Sequence, residues 1–275
     1  MTQTKGKLDP GAFSDVDAAG ETSHFVAYLD HAATALKDFR RAGDELLGLQ
    51  PGDRVLDVGC GTGDTIAQLA GMVAPHGRAI GVDASEAMVA EARKRAAGSG
   101  LPTEFRTSDA HRLDFPDSQF DACTAERLFI HLADPAQALA EMVRVVKPGG
   151  RIVVRESDLD MIAIDAADRP TSRAIGTLFA DSVRNGWIGR QLFNLFRSAN
   201  LADVAIHPQT LIIREFGVFN AILPLEDTAR NAIAAGRITA EAGSGWIADL
   251  RNRDASGHFF ACGLAFIASG RKPAV

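Results

Sequence analysis

The sequence predicts an α/β protein, a doubly wound and mostly parallel sheet with helices on both faces. Between about residues 53 and 156, short β-branched and aliphatic runs alternate with stretches of helical periodicity. The first run, Val55-Leu56-Asp57-Val58, stops at a glycine-rich turn, Gly59-Cys60-Gly61-Thr62-Gly63-Asp64. Near the C-terminus, Gly257 to Ser269 is apolar with almost no polar interruption, as in a strand buried on both faces in the middle of a sheet.

The elements follow in order. Met1 to Asp17 is polar and contains glycine, and it reads as a mobile start with no signal-peptide core. Thr22 or Ser23 can cap one helix running to about Gly48, with Phe25, Leu29, Ala32, Leu36 and Phe39 on its apolar face. His24, Tyr28 and His31 form a neighbouring stripe. Pro51-Gly52 opens a strand over 53–58, and Ile66, Leu69, Ala70 and Val73 mark one face of a helix over 64–74. Strand 78–82, helix 85–97, strands 103–108 and 119–124, helix 135–147 and strand 151–156 complete the alternation. Asp134-Pro135 starts its helix with proline at the first helical position, and Lys147-Pro148-Gly149-Gly150 ends it. Helical segments 171–185 and 188–199, a strand at 203–207 that 210–215 can extend, helical material over 219–252 and the apolar strand follow.

With 275 residues and a net charge of -6, the chain has core to spare and no basic footprint, which argues against nucleic acid or anionic membrane as a partner. Cys60, Cys123 and Cys262 are far apart, show no metal-ligand spacing and read as buried free thiols of a reducing compartment. No apolar run is long enough to span a bilayer. These features together place the protein in the cytoplasm.

A strand that passes through glycines into a helix brings bare backbone up to a ligand at a helix N-terminus. A dinucleotide site would use Gly-x-Gly-x-x-Gly, whereas here Gly59, Gly61 and Gly63 alternate and Asp57 precedes them. This loop resembles the cofactor loop of class I S-adenosylmethionine-dependent methyltransferases, in their ubiquinone/menaquinone-biosynthesis-like small-molecule branch. The resemblance covers roughly residues 50–156, including Arg144-Val145-Val146-Lys147-Pro148-Gly149-Gly150. It implies a seven-stranded Rossmann-like sheet whose antiparallel last strand lies between the fifth and sixth, a place that 257–269 suits. It also implies S-adenosyl-L-methionine as cofactor and no metal. Asp57, Gly59 and Gly61 would cradle the amino-acid end, and Asp83 would hold both ribose hydroxyls. Met88 would pack on adenine and Asp109 accept from its amino group. Ala84, Ala110, Glu126 and Tyr28 would complete the set, Tyr28 near the methionine carboxylate. Taken singly, Asp83 could equally be a helix cap, Met88 a core residue and Asp109 a turn former.

Methyl transfer needs alignment above all, with a base where oxygen or nitrogen is the nucleophile. Candidates for the base are His131, His31 and Glu126. The rival readings are that His131 belongs to the architecture of its loop and that His31 lies on an exposed helix face. Arg155, Glu156, Asp158 and Asp160 follow the fifth strand. Glu156 and Asp158 could anchor a cationic amine or a hydroxyl of the acceptor, but the group reads more simply as solvated loop charges. Phe179, Trp187, Phe193, Phe196, Phe216, Phe219 and Trp246 favour an apolar or aromatic small molecule over a sugar or phosphate compound.

The resulting organisation is one structural domain: N-terminal lid helices (1–48), an S-adenosylmethionine-binding core (49–157), a helical cap with one core strand at about 203–215 (158–252), and a final core strand and tail (253–275). The function expected is methylation of O, N or C on such a molecule, in quinone or secondary metabolism. The alternatives are a cyclase or pericyclase-like enzyme of the same fold without net methyl transfer, and an NAD(P)-dependent oxidoreductase. Oligomeric state is not legible.

Overall fold

Seven strands pair into one sheet: β1 (Arg54–Val58), β2 (Arg78–Asp83), β3 (Thr103–Thr107), β4 (Phe120–Glu126), β5 (Val146–Ile164), β6 (Ala202–Ile213) and β7 (Ala261–Arg271). The computed structural model describes residues 13, 16–19 and 22–274, so most of the polar start lies outside the described residues. So do the side chains of Thr22, one of the two proposed caps, and of His24. The strand order is β3-β2-β1-β4-β5-β7-β6. The first five strands are parallel, and β7 runs antiparallel between β5 and β6, where the resemblance put it.

The N-terminal helices are α1 (Val16–Ala19), α2 (Thr22–Ala35) and α3 (Lys37–Leu47). Three more, α4 (Asp64–Val73), α5 (Glu86–Ala96) and α6 (Pro135–Val145), connect the parallel strands. The cap consists of α7 (Arg169–Ala180), α8 (Ile188–Ser198), α9 (Phe216–Ile222), α10 (Leu225–Ala234) and α11 (Ala240–Ala255). Each face of the sheet carries its own core. Leu36, Phe39, Ile66, Leu69 and Val89 pack on one face, and Phe120, Leu139, Met142, Leu192 and Phe196 on the other. A separate cap core gathers Phe216, Phe219, Trp246 and Phe259, and Trp246 donates its indole N–H to Ser172 at 2.6 Å.

Four expectations need correction. The single helix to Gly48 is two helices, because Leu36 leaves helical geometry at φ -100°, ψ 12°, and Gly48 in the left-handed region ends the second. The charged run after residue 156 is no loop, since β5 continues to Ile164 against β7. Between Asp158 and Ile162 the register shifts, so Leu159, Asp160 and Met161 bulge out of the ladder, and Leu159 N–H donates to the Gly186 carbonyl at 2.9 Å. Strand β7 begins at Ala261 and is not buried throughout: Cys262, Gly263 and Leu264 are half-buried, the last two lining a cavity. Finally, Cys262 is only half-buried.

Candidate functional site

A cavity of about 1010 Å³ opens at the C-terminal ends of β1, β2, β4 and β5, where open α/β sheets bind ligands. At its strand-end side the turn after β1 is set by backbone alone. Gly59, Gly61 and Gly63 all have positive φ (76°, 51° and 83°), a region that L side chains avoid. Gly59 and Cys60 donate their N–H groups to the Val82 carbonyl at 2.8 and 2.9 Å. A Cβ at Gly59 would stand 2.9 Å from Leu128, and one at Gly63 2.8 Å from Phe105, so the loop has no room for side chains.

Asp83 closes β2 on this wall. Its Oδ2 accepts from Gly61 N–H at 2.9 Å and its Oδ1 from Ser85 N–H at 3.0 Å. Burial raises the Asp83 carboxyl above its ordinary range, with the Ser85 and Gly61 N–H groups opposing. The cap of α5 is Ser85, whose hydroxyl accepts from Met88 N–H, so Asp83 is not itself the cap. Each Asp83 oxygen retains a lone pair beyond the loop bond and can take a hydroxyl as well.

Around Asp83, Ala84, Met88, Asp109 and Ala110 line the cavity. Met88 is also buried against Val16 and Phe25, and Asp109 also forms a turn by accepting from His111 N–H at 2.9 Å. The N-terminal segment is fastened here: Asp17 accepts from the Ser85 hydroxyl at 2.5 Å and from Glu86 N–H at 2.9 Å. No sequence signal marked Asp17, which lies in the polar start. Tyr28 lines the cavity, and its hydroxyl accepts from Arg127 Nη1 at 3.3 Å. Arg127 ends β4 with φ 51°, and its buried Nε lacks a hydrogen-bond partner.

Asp57 is placed differently from its expected role. It is 2% exposed, does not belong to the cavity wall, and lies beneath the loop in a buried charge network. Burial pushes its carboxyl up to about 8, Glu126 and Asp44 adding to the rise and Arg155 and Arg40 opposing it. In that network Arg155 donates to Asp44 at 2.7 Å, to the Arg40 carbonyl at 2.8 Å and to the Thr124 hydroxyl at 3.0 Å. Arg40 grips Glu126 with two bonds of 3.1 and 3.0 Å. Burial alone would raise the Glu126 carboxyl, but Arg155 and Arg40 outweigh it and hold it below its usual range. Glu126 reaches the cavity as a clamped anion, a poor proton acceptor.

The two histidines part company. His131 lines the cavity, stacked on Phe13 with ring centroids 5.5 Å apart. Burial, helped by Arg127, pushes its pKa down to about 4, so it is neutral at pH 7. His31 is exposed and off the cavity, its Nδ1–H donating to the Ala27 carbonyl of its own helix at 2.7 Å, and its position argues against a part as the base. Arg155, Glu156 and Asp158 prove buried rather than solvated, at 0%, 0% and 1% exposure. Arg155 faces the network, while Glu156 and Asp158 line the cavity. The far side of the cavity is apolar, with Leu159, Ile162, Phe179, Phe219, Ile222 and Leu264.

This arrangement fits S-adenosylmethionine: bare glycine backbone for the amino-acid end, a carboxylate with spare lone pairs for a cis-diol, and a thioether with small side chains for a base. A family model described as a methyltransferase domain matches residues 55–150. An uncharacterized 37.1 kDa protein in transposon TN4556 of Streptomyces fradiae is 39% identical over 246 residues, which span 88% of this chain and 70% of that protein. A demethylmenaquinone methyltransferase of Symbiobacterium thermophilum is 42% identical over 110 residues, 39% of this chain and 44% of that protein. The chain therefore matches under half the length of that curated relative. Among solved structures, the [4+2]-cyclase SpnF aligns with a TM-score of 0.54 at 26% identity, over 86% of this chain and 82% of that one.

Proposed function

The chain belongs to the class I S-adenosylmethionine-dependent methyltransferases, in their ubiquinone/menaquinone-biosynthesis-like branch, and on that premise we propose that it methylates an oxygen, nitrogen or carbon atom of an apolar or aromatic small molecule in quinone or secondary metabolism. The observation that carries this reading is one continuous cavity with two unlike ends, bare backbone and carboxylate at the strand tips and aliphatic and aromatic side chains under the cap.

Asp83 holds the ribose hydroxyls, Gly59 and Gly61 admit the amino-acid end, and Tyr28 lies beside it. Ala84, Met88, Asp109 and Ala110 enclose the adenine. Asp57 and Glu126 support the loop and the Arg40 guanidinium from below, rather than serving as a base. The cofactor supplies a methyl group already activated by its sulfonium charge. What this chain adds is in-line alignment, worth up to roughly 7–11 kcal/mol of the barrier, and exclusion of water by Phe13, Tyr28 and the cap. His131 is neutral and is the candidate base by position, but a pKa of about 4 makes it a weak one, so the site suits an acceptor that needs little help in losing its proton. Among the described residues no helix is long and apolar enough to cross a membrane, and the working environment we propose is the cytoplasm.

A second reading has its own support. A solved structure that aligns over 86% of the chain, at 26% identity and a TM-score of 0.54, is a [4+2]-cyclase. A cyclase would use the same cavity without consuming the methyl group. One experiment separates the two: incubation with methyl-labelled S-adenosylmethionine and a panel of naphthols, hydroquinones and polyenes. Labelled product with stoichiometric S-adenosylhomocysteine is the expected result. Conversion of an acceptor with no S-adenosylhomocysteine would replace transfer by cyclisation.

A further inference from the structure

Among the described residues, two buried side-chain atoms on the cavity wall have no hydrogen-bond partner, Arg127 Nε and Glu156 Oε2. Their residues are neighbours across the sheet, because β4 pairs with β5 through Glu126↔Arg155 and both chains then run on by one residue. Glu156 is fully buried, its Oε1 accepting from Phe129 N–H at 2.6 Å while Oε2 is left over. Across the ladder on its other side stands Phe266 of β7. Two residues further along β5, Asp158 is already satisfied by Arg190, at 2.5 and 2.6 Å. A leftover polar atom beside an apolar chamber costs free energy until something bonds it. It therefore selects a ligand that carries a polar atom at that depth.

We propose that Glu156 is a specificity-determining residue for the acceptor: its Oε2 carries a proton and donates a hydrogen bond to a hydroxyl or carbonyl oxygen on an otherwise apolar, flat molecule. The inference rests on the reading of the cavity as an apolar-acceptor chamber. Burial pushes the Glu156 carboxyl up to about 8, with the Phe129 N–H, Arg127 and the Leu128 and Ile130 N–H groups opposing, so the acid is neutral at pH 7. A neutral acid beside Arg127 suits an oxygen and disfavours an amine cation. The other charged or titratable groups near it on the cavity wall are Glu126, whose Oε1 lies 3.9 Å from Arg127 Nε, Asp158, held by Arg190, His131 beyond β4 and Arg184 after α7.

The test uses the full chain, with and without S-adenosylhomocysteine, titrated with 2-naphthol and with naphthalene, which differ by one hydroxyl. In the wild type 2-naphthol should bind about tenfold more tightly. Glu156→Leu should erase that ratio while naphthalene binding persists. Glu156→Gln, whose amide reproduces both the accepting and the donating atom of the neutral acid, should keep it. With 2-acetylnaphthalene, whose carbonyl can only accept, the wild-type preference over naphthalene should fall as pH rises through about 8, because the carboxylate no longer donates, while Glu156→Gln keeps that preference to higher pH. That comparison needs only the conservative variant, should the leucine variant not fold. Equal affinities in the wild type, binding of neither probe, a preference that survives in Glu156→Leu, or identical pH profiles would overturn the proposal. Failure of S-adenosylhomocysteine itself to bind the wild type would instead strike the methyltransferase reading, leaving the Glu156 result standing.

Discussion

The two ends of the cavity are built by different means. At the tips of β1 and β2 the wall is main chain, fixed by positive-φ glycines and by Asp83 accepting from Gly61 and Ser85, with the Arg155–Asp44–Glu126–Arg40 network beneath it. Under the cap the wall is side chain, contributed by β5, β7 and helices distant in sequence. A site made of backbone constrains residue identity locally, since few residues tolerate its φ angles. A site made of apolar side chains constrains volume and hydrophobicity, which many combinations satisfy. The first end can therefore keep one ligand while the second changes.

The comparison can be broken most severely at the network. Arg155→Leu leaves Asp44, 1% exposed, buried without its cation, and should cost about 3–5 kcal/mol in urea unfolding. Replacing both residues by leucine should recover most of that loss, and a single variant within about 1 kcal/mol of wild type would show that the network carries no weight. Next, Asp83→Ala should weaken S-adenosylmethionine binding about a hundredfold in calorimetry, the lower end for two charge-assisted bonds, with the fold retained. Affinity within twofold of wild type would reduce Asp83 to a brace for the loop. On the opposite wall, Leu264→Ala should leave cofactor affinity within twofold while weakening 2-naphthol binding about tenfold. Equal damage to both ligands would erase the division between the ends. The smallest effect is expected at the seam: Asp17→Ala removes a carboxylate from the start of α5, worth about 1 kcal/mol, or roughly 2–4 °C in melting temperature.

Much of this was legible because local rules governed it. The alternation of periods and the turn residues located β1, α4, β2, α5, β4 and α6 to within a few residues. The glycine loop and Asp83 carry their geometry in their own identities. Where legibility failed, the deciding partner was remote. Arg155-Glu156-Ser157-Asp158 looks like a solvated loop until Asp44, Thr124, the Phe129 N–H and Arg190 arrive from elsewhere in the chain. Asp57 has the residue type of a ligand contact, yet it is buried off the cavity wall, within reach of the charges of Arg155 and Arg40. The break at Leu36 carries no proline or glycine to announce it, and His31 shares a helix with Tyr28 but not the face that reaches the cavity.

The bulge at Leu159–Met161 has an evolutionary consequence. Residues there lie outside the β5–β7 ladder, so adding or removing one lengthens or shortens a loop rather than slipping the register and turning every later side chain to the opposite face. Leu159 belongs to the acceptor chamber, so this is the point where a descendant lineage can resize its pocket by insertion while both flanking ladders stay intact. Homologues that handle larger or smaller acceptors should diverge in length at this bulge before they diverge in the strands that frame it.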